Sequence, residues 1–168
     1  MLKPILRDQT ISVVSIADPA FDLDGSEQME HEGEAILAYA RERFTDPASW
    51  RTLLKTKDGE QPTEFLIGII PPAEVARIED ECKRDVQRWS EQCWRAFSHS
   101  LVGIEAGFDV KDVPRIKVDN VQYIAPSWIR ETFIASLYHV AVEVGAVAWH
   151  WNRMVGSDLK NSSGLSKR

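Results

Sequence analysis

The chain has 168 residues, enough for one domain with a substantial core, and its 43% apolar and 27% charged residues are those of an ordered globular protein rather than a disordered one. Its net charge is −6, and no run of basic residues exceeds the pairs Lys83-Arg84 and Lys167-Arg168, which argues against a nucleic-acid partner. The two cysteines, Cys82 and Cys93, fit buried thiols in a reducing compartment, and Met1–Asp8 lacks the continuous apolar run of a secretion signal, so a cytoplasmic location is expected.

Thr10–Ile16 is rich in β-branched residues and is closed by Asp18-Pro19, which predicts a strand. Residues 21–33 carry five carboxylates and two glycines without an apolar period, so an acidic loop is expected there. Counting from Asp22, the positions of a calcium-binding EF-hand loop are not met. Glu34–Phe44 reads as a short helix with Ile36, Leu37, Ala40 and Phe44 on one side. Asp46 is placed to cap a second turn that starts at Pro47 and is anchored by Trp50. Leu53–Lys57 and Thr63–Ile70, separated by Asp58-Gly59, suggest a hairpin, which with the first strand makes a small antiparallel sheet of about three strands.

Pro71-Pro72 opens the stretch with the strongest pattern. Val75, Ile78, Cys82, Val86, Trp89, Cys93, Phe97, Leu101 and Ile104 follow at steps of three or four, which predicts one long helix. On one such helix Cys82 and Cys93 would lie about 16 Å apart, too far for a disulfide. Residues 106–126 read as a connection containing a strand at Arg115–Val118. Ser127 then offers an N-cap for a second long helix, Trp128 to Met154, and a flexible tail is expected over 156–168. The expected class is therefore α+β, predominantly helical, as one domain over residues 1–155: a sheet-containing part, 1–70, and a helical core, 71–155, built on two long packed helices.

The second long helix is apolar nearly all round. Ala141, Gly145 and Ala148 would admit another helix at close range; the first long helix and the small sheet are each expected to cover part of it, and a face left bare would need a second subunit or another protein. A membrane span is disfavoured because His139, Glu143 and His150 interrupt Ile134–Trp151. Those three residues and Thr132 fall within roughly 40 degrees of one another at about 100 degrees per residue, forming one polar stripe. His139 and Glu143 have ligand-like spacing, but His139 and His150 lie about 16 Å apart along a helix and cannot share an ion. A structural or inter-subunit seam is the simpler reading, and no metal or cofactor is expected. His99 lies between Ser98 and Ser100, yet adjacent helical residues diverge and no nucleophile elbow is present, so a histidine of the last helical turn is expected. Trp89 falls in the apolar stripe and is assigned to the core. Trp94, off the stripe, and Trp149 and Trp151 on the second helix are candidate contact residues, together with His139, Glu143 and His150.

The stretch Asp46-x-x-x-Trp50, Leu53-Leu-Lys-Thr-Lys-Asp-Gly-Glu-Gln-Pro62-Thr63-x-Phe65, then Ile67-Gly-Ile-Ile-Pro-Pro-x-Glu74 and Ser100-Leu-Val-Gly-Ile-Glu105, resembles small proteins encoded among tailed-phage morphogenesis genes, of the tail assembly chaperone or tail-completion kind. The resemblance covers residues 44–105. It implies a short strand-rich start leading into helices, and a non-catalytic protein that binds other phage tail or structural proteins, in the host cytoplasm during assembly or in the virion, with homo-oligomers among its states. A small metal-binding or regulatory protein using the polar stripe, with Glu105 or His99 from the other helix, is the alternative, and a regulator directed at a host protein is a third.

Overall fold

The computed structural model describes residues 10–21, 29–82, 88–105 and 112–164. In chain order these form β1 (Ile11–Val13), α1 (Met29–Glu42), a 3-10 turn (Pro47–Ser49) running into α2 (Trp50–Leu53), β2 (Glu64–Ile67), α3 (Pro72–Cys82), α4 (Trp89–Ser100), β3 (Leu101–Glu105), β4 (Arg115–Val118), β5 (Val121–Ile124), α5 (Pro126–Phe133) and α6 (Tyr138–Gly164). The class is α+β, with a small antiparallel sheet in the order β1-β2-β3 and a separate β4-β5 hairpin.

Alternation along β2 buries Phe65 and Ile67 and turns Glu64 and Leu66 partly outward. The register sets Val13 opposite Phe65, and Phe65 opposite Ile104, with an irregularity between Leu66 and Ile67. The inward residues meet Phe97 of α4, Phe133 of α5, and Val144, Val147 and Ala148 of α6 in one continuous core. Phe65, Phe97 and Phe133 pack edge to face, with ring centroids 5.2 to 6.1 Å apart, the geometry their quadrupoles favour.

The long apolar stretch Pro71–Ile104 is not one helix. It is divided into α3, α4 and β3, with residues 83–87 outside the described residues. α3 packs on α4, and Ile78 and Cys82 of the first share a second core cluster with Ala96, Ile70 and Trp149. The peptide N–H of Leu101 still bonds the carbonyl of Phe97, but Leu101 itself is extended, and from there β3 pairs with β2. A stripe at steps of three or four records which side is buried and survives both a break and a change to strand. Burial holds both thiols in the protonated form, with Cys93 pushed up to about 12 and Cys82 raised.

The second long helix is likewise two. α5 starts on Pro126, with Ala125 rather than Ser127 as N-cap, and residues 134–137 separate it from α6. No residue of 134–137 is a strong helix breaker, so packing rather than local propensity places the break. α6 continues to Gly164, where a flexible tail was expected. Its small-residue face is occupied within the chain. Ala141 and Ala148 are fully buried, and a Cβ on Gly145 would lie 1.9 Å from the carbonyl oxygen of Cys93 in α4. The two expected walls, α4 and the sheet, therefore both pack on this helix, and its small-residue face needs no second subunit.

Three shorter readings also change. Leu53–Lys57 does not pair with β2; Thr56 bridges Phe21, while Gly59, at φ 81, makes the turn. α1 begins at Met29, inside the expected acidic loop, whose residues 22–28 lie outside the described residues. Asp119 and Asn120, at φ 48 and 69, join β4 to an unforeseen β5 through a turn of the type I′ kind. The Asp46 cap stands as read, with the side chain accepting from the Ala48 N–H at 3.2 Å.

The segment between β2 and α3 is tied down by side chains from afar. The Ile70 N–H donates to Asn152 Oδ1 at 2.8 Å, Asn152 Nδ2 donates to the Ala148 carbonyl at 2.8 Å, and the Tyr123 hydroxyl donates to the Ile69 carbonyl at 2.6 Å. Asn152→Ala leaves the Ile70 N–H without its acceptor and is expected to cost about 1–3 kcal/mol. Urea unfolding checks this as a lowered midpoint at unchanged slope.

Candidate functional site: a charged groove with an apolar ledge

The proposed polar stripe does not exist as one surface, because Thr132 belongs to α5 and the other three to α6. His139 and His150 are exposed, and the His150 ring lies edge-on to Phe44 at 5.4 Å. Glu143 has turned inward. It accepts from Ser15 Oγ at 2.6 Å, the Ile16 N–H at 3.0 Å and Arg43 Nη1 at 2.5 Å, so it joins the end of β1, the end of α1 and α6. Beside it the Tyr39 hydroxyl donates to the Val14 carbonyl at 3.0 Å, and burial pushes that phenol up to about 12. Glu143 thus closes a structural network. Among the described residues no three His, Cys, Asp or Glu side chains are grouped to hold a metal, and no helix is long and apolar enough to cross a membrane.

The tryptophans trade roles. Trp94 and Trp149, assigned to contacts, are 9% and 3% exposed, Trp151 is half-buried, and Trp89, assigned to the core, is 49% exposed. α4 meets both α5 and α6, and Tyr138 at the start of α6 packs on Trp94, which widens the buried arc of α4 to include it.

A groove of about 440 Å³ opens where α3, α4 and α5 converge. Helical spacing builds its walls: Arg77 and Glu81 project from α3, Glu91, Arg95 and Ser98 from α4, and Pro126 and Arg130 from α5. Arg95 crosses it, bonded to Glu81 of α3 and to Glu91 at 2.6 Å. The Arg95 guanidinium holds the Glu81 carboxyl below its usual range, and the two carboxylates raise Arg95 in return. Arg77 pairs with Glu74 at 2.5 Å. Ser98 Oγ donates to the Trp94 carbonyl of its own helix at 2.9 Å. The Arg130 side chain bonds to no described residue, its carbonyl accepting the Ile134 N–H at 3.1 Å.

His99 sits in the last turn of α4, as expected, with Nε2 3.6 Å from Glu74 Oε2. Burial lowers its pKa from 6.5; Glu74 opposes that shift, while Arg77 and Arg95 add to it. The unfolded chain therefore binds the proton more tightly. The stability that neutral His99 contributes is whole above about pH 6.5 and is lost as pH falls below it towards the folded value. Urea midpoints taken at about pH 7.5 and about pH 5 should fall on acidification, and His99→Gln should remove that part of the slope.

Next to the groove the break between α5 and α6 leaves an apolar ledge. Ile134 and Tyr138 are 54% and 38% exposed, and the Tyr138 ring stacks on Trp94 at 5.3 Å between centroids. Arg130 lies one helical turn before Ile134. Nothing in the pattern singled out these three residues. Ile134 read as one more member of an apolar stripe, and only the break exposes it. Two of the three guanidiniums are already neutralised, so the surface offers one free cation beside an aromatic-aliphatic step. That combination suits docking of a side chain pair, one acidic and one apolar. Comparison with protein-family models, with curated proteins and with solved structures finds no match for the chain.

Proposed function

We propose that the protein works through protein–protein contacts as a tailed-phage morphogenesis component, acting in tail assembly or as a minor structural part of the particle. The resemblance of residues 44–105 to tail assembly chaperone and tail-completion proteins supports the phage setting. The observation that carries the contact reading is the ledge of Ile134 and Tyr138 beside unpaired Arg130. Tyr, Trp and Arg dominate binding hot spots, and large apolar side chains gathered at a groove mark contact surfaces more often than scattered ones do. The partners on this reading are other tail or structural proteins and further copies of the chain, met in the host cytoplasm during assembly.

The test is capture of purified tail proteins from the same gene neighbourhood by the tagged full chain, with Ile134→Asp and Tyr138→Asp alongside. Ile134 is the more exposed of the two, so Ile134→Asp should melt like the parent, whereas Tyr138→Asp also removes the ring packed on Trp94 and is compared at a temperature where it is fully folded. The expected result is specific capture of at least one tail protein, weakened about tenfold or more in the variants. Capture of none, or equal capture by the variants, would overturn the reading.

A further inference from the structure

We infer that the ledge receives α1 of a second copy of this chain, with Glu34 meeting Arg130 and Leu37 resting on Ile134 and Tyr138. The inference deepens the contact reading and rests on it in taking the ledge as a contact face. The second half of the fit is on the outer side of α1. Glu34, Leu37 and Arg41 follow at steps of three and four, all three are exposed, and Leu37, at 58%, is the most exposed large apolar side chain among the described residues. Neither Glu34 nor Arg41 bonds to a described residue, so both charges are available.

Charge favours this partner over Ile116, which stands between Arg115 and Lys117 and would bring cations on both sides towards Arg130. Two ledges facing each other across a two-fold axis would oppose Arg130 to Arg130. Leu37 has a free carboxylate three residues before it, as Ile134 has a free guanidinium four residues before it, each spacing being about one helical turn. Like charges brought together suppress the wrong pairings and opposite charges fix the register. Because the joined patches are unlike, reciprocal pairing across a two-fold axis closes a dimer, and non-reciprocal pairing leaves each copy one free patch and continues into a ring or an open filament.

Light scattering of the full chain over a concentration series at low salt tests this. The mass should climb with concentration above that of the monomer and fall back on addition of salt. Arg130→Glu and Glu34→Arg should each weaken association by about tenfold or more. Mixing the two single variants should restore it, since each then finds a complementary patch on the other. A monomer throughout the series, unaltered association of the single variants, or a mixture as weak as its components would overturn the inference. If the chain stays monomeric while Ile134→Asp still abolishes capture of a tail protein, the second copy is excluded and the contact face is kept.

Discussion

Gly145→Ala should lower the unfolding free energy by about 3 kcal/mol or more, at the upper end of overpacking substitutions. A Cβ at this position would stand 1.9 Å from the Cys93 carbonyl oxygen, 2.7 Å from its carbonyl carbon and 3.2 Å from Phe97 Cβ. The obstacle is the backbone of α4, so no rotamer change relieves it and the two helices must part. Parting them loosens Phe97, Val144 and Ala148, which are fully buried in the main core. Helix propensity alone has the opposite sign, favouring Ala over Gly by about 1 kcal/mol. Thermal or urea unfolding therefore separates the two effects by sign, and a variant as stable as the parent would mean that α4 and α6 do not touch at Gly145.

Glu143→Ala should be comparably severe, at about 3–5 kcal/mol, because it strands a charge. Arg43 and Glu143 have side chains only 12% and 14% exposed, and the guanidinium lies over the Tyr39 and Phe44 rings at 5.9 and 5.4 Å. Ser15 Oγ and the Ile16 N–H would lose their acceptor as well. Arg43→Met should cost less, since Arg43 Nε is already buried without a partner and Glu143 keeps its other two donors. A double-mutant cycle between the two positions should return a coupling of at least about 1 kcal/mol. Additivity within about 0.3 kcal/mol would remove the ion pair from the description.

Local signals were the legible part of this chain. The β-branched run Thr10–Ile16, which holds β1, the Asp46-Pro47 start and the strand at Arg115–Val118 each depend on residues close in sequence, and each appears where read, while Asp58-Gly59 turns the chain without the hairpin expected of it. The small face of Ala141, Gly145 and Ala148 was also legible as a site of close helix approach. Continuity was not. Apolar period is preserved through the start of α4 at Trp89, through its change to β3 at Leu101 and across 134–137, so these boundaries leave no mark in the stripe. Burial that depends on a second neighbour was equally hidden: Trp94 looked free because Tyr138 packs on it from a distant part of the chain. Glu143 stood out as a carboxylate among apolar residues, yet its donors Ser15, Ile16 and Arg43 lie 100 or more residues away. The ledge inherits both difficulties, since Ile134 and Tyr138 are exposed only because the helix is interrupted.

Hydrogen exchange of the full chain, alone and with a captured partner or at associating concentration, tests most directly whether the protein works through this face. Amides of α5, the 134–137 link and the start of α6 should slow on binding, with the rim of α4 around Trp94. Protection confined to the β4-β5 hairpin or the outer edge of the sheet, with residues 126–141 unchanged, would contradict it.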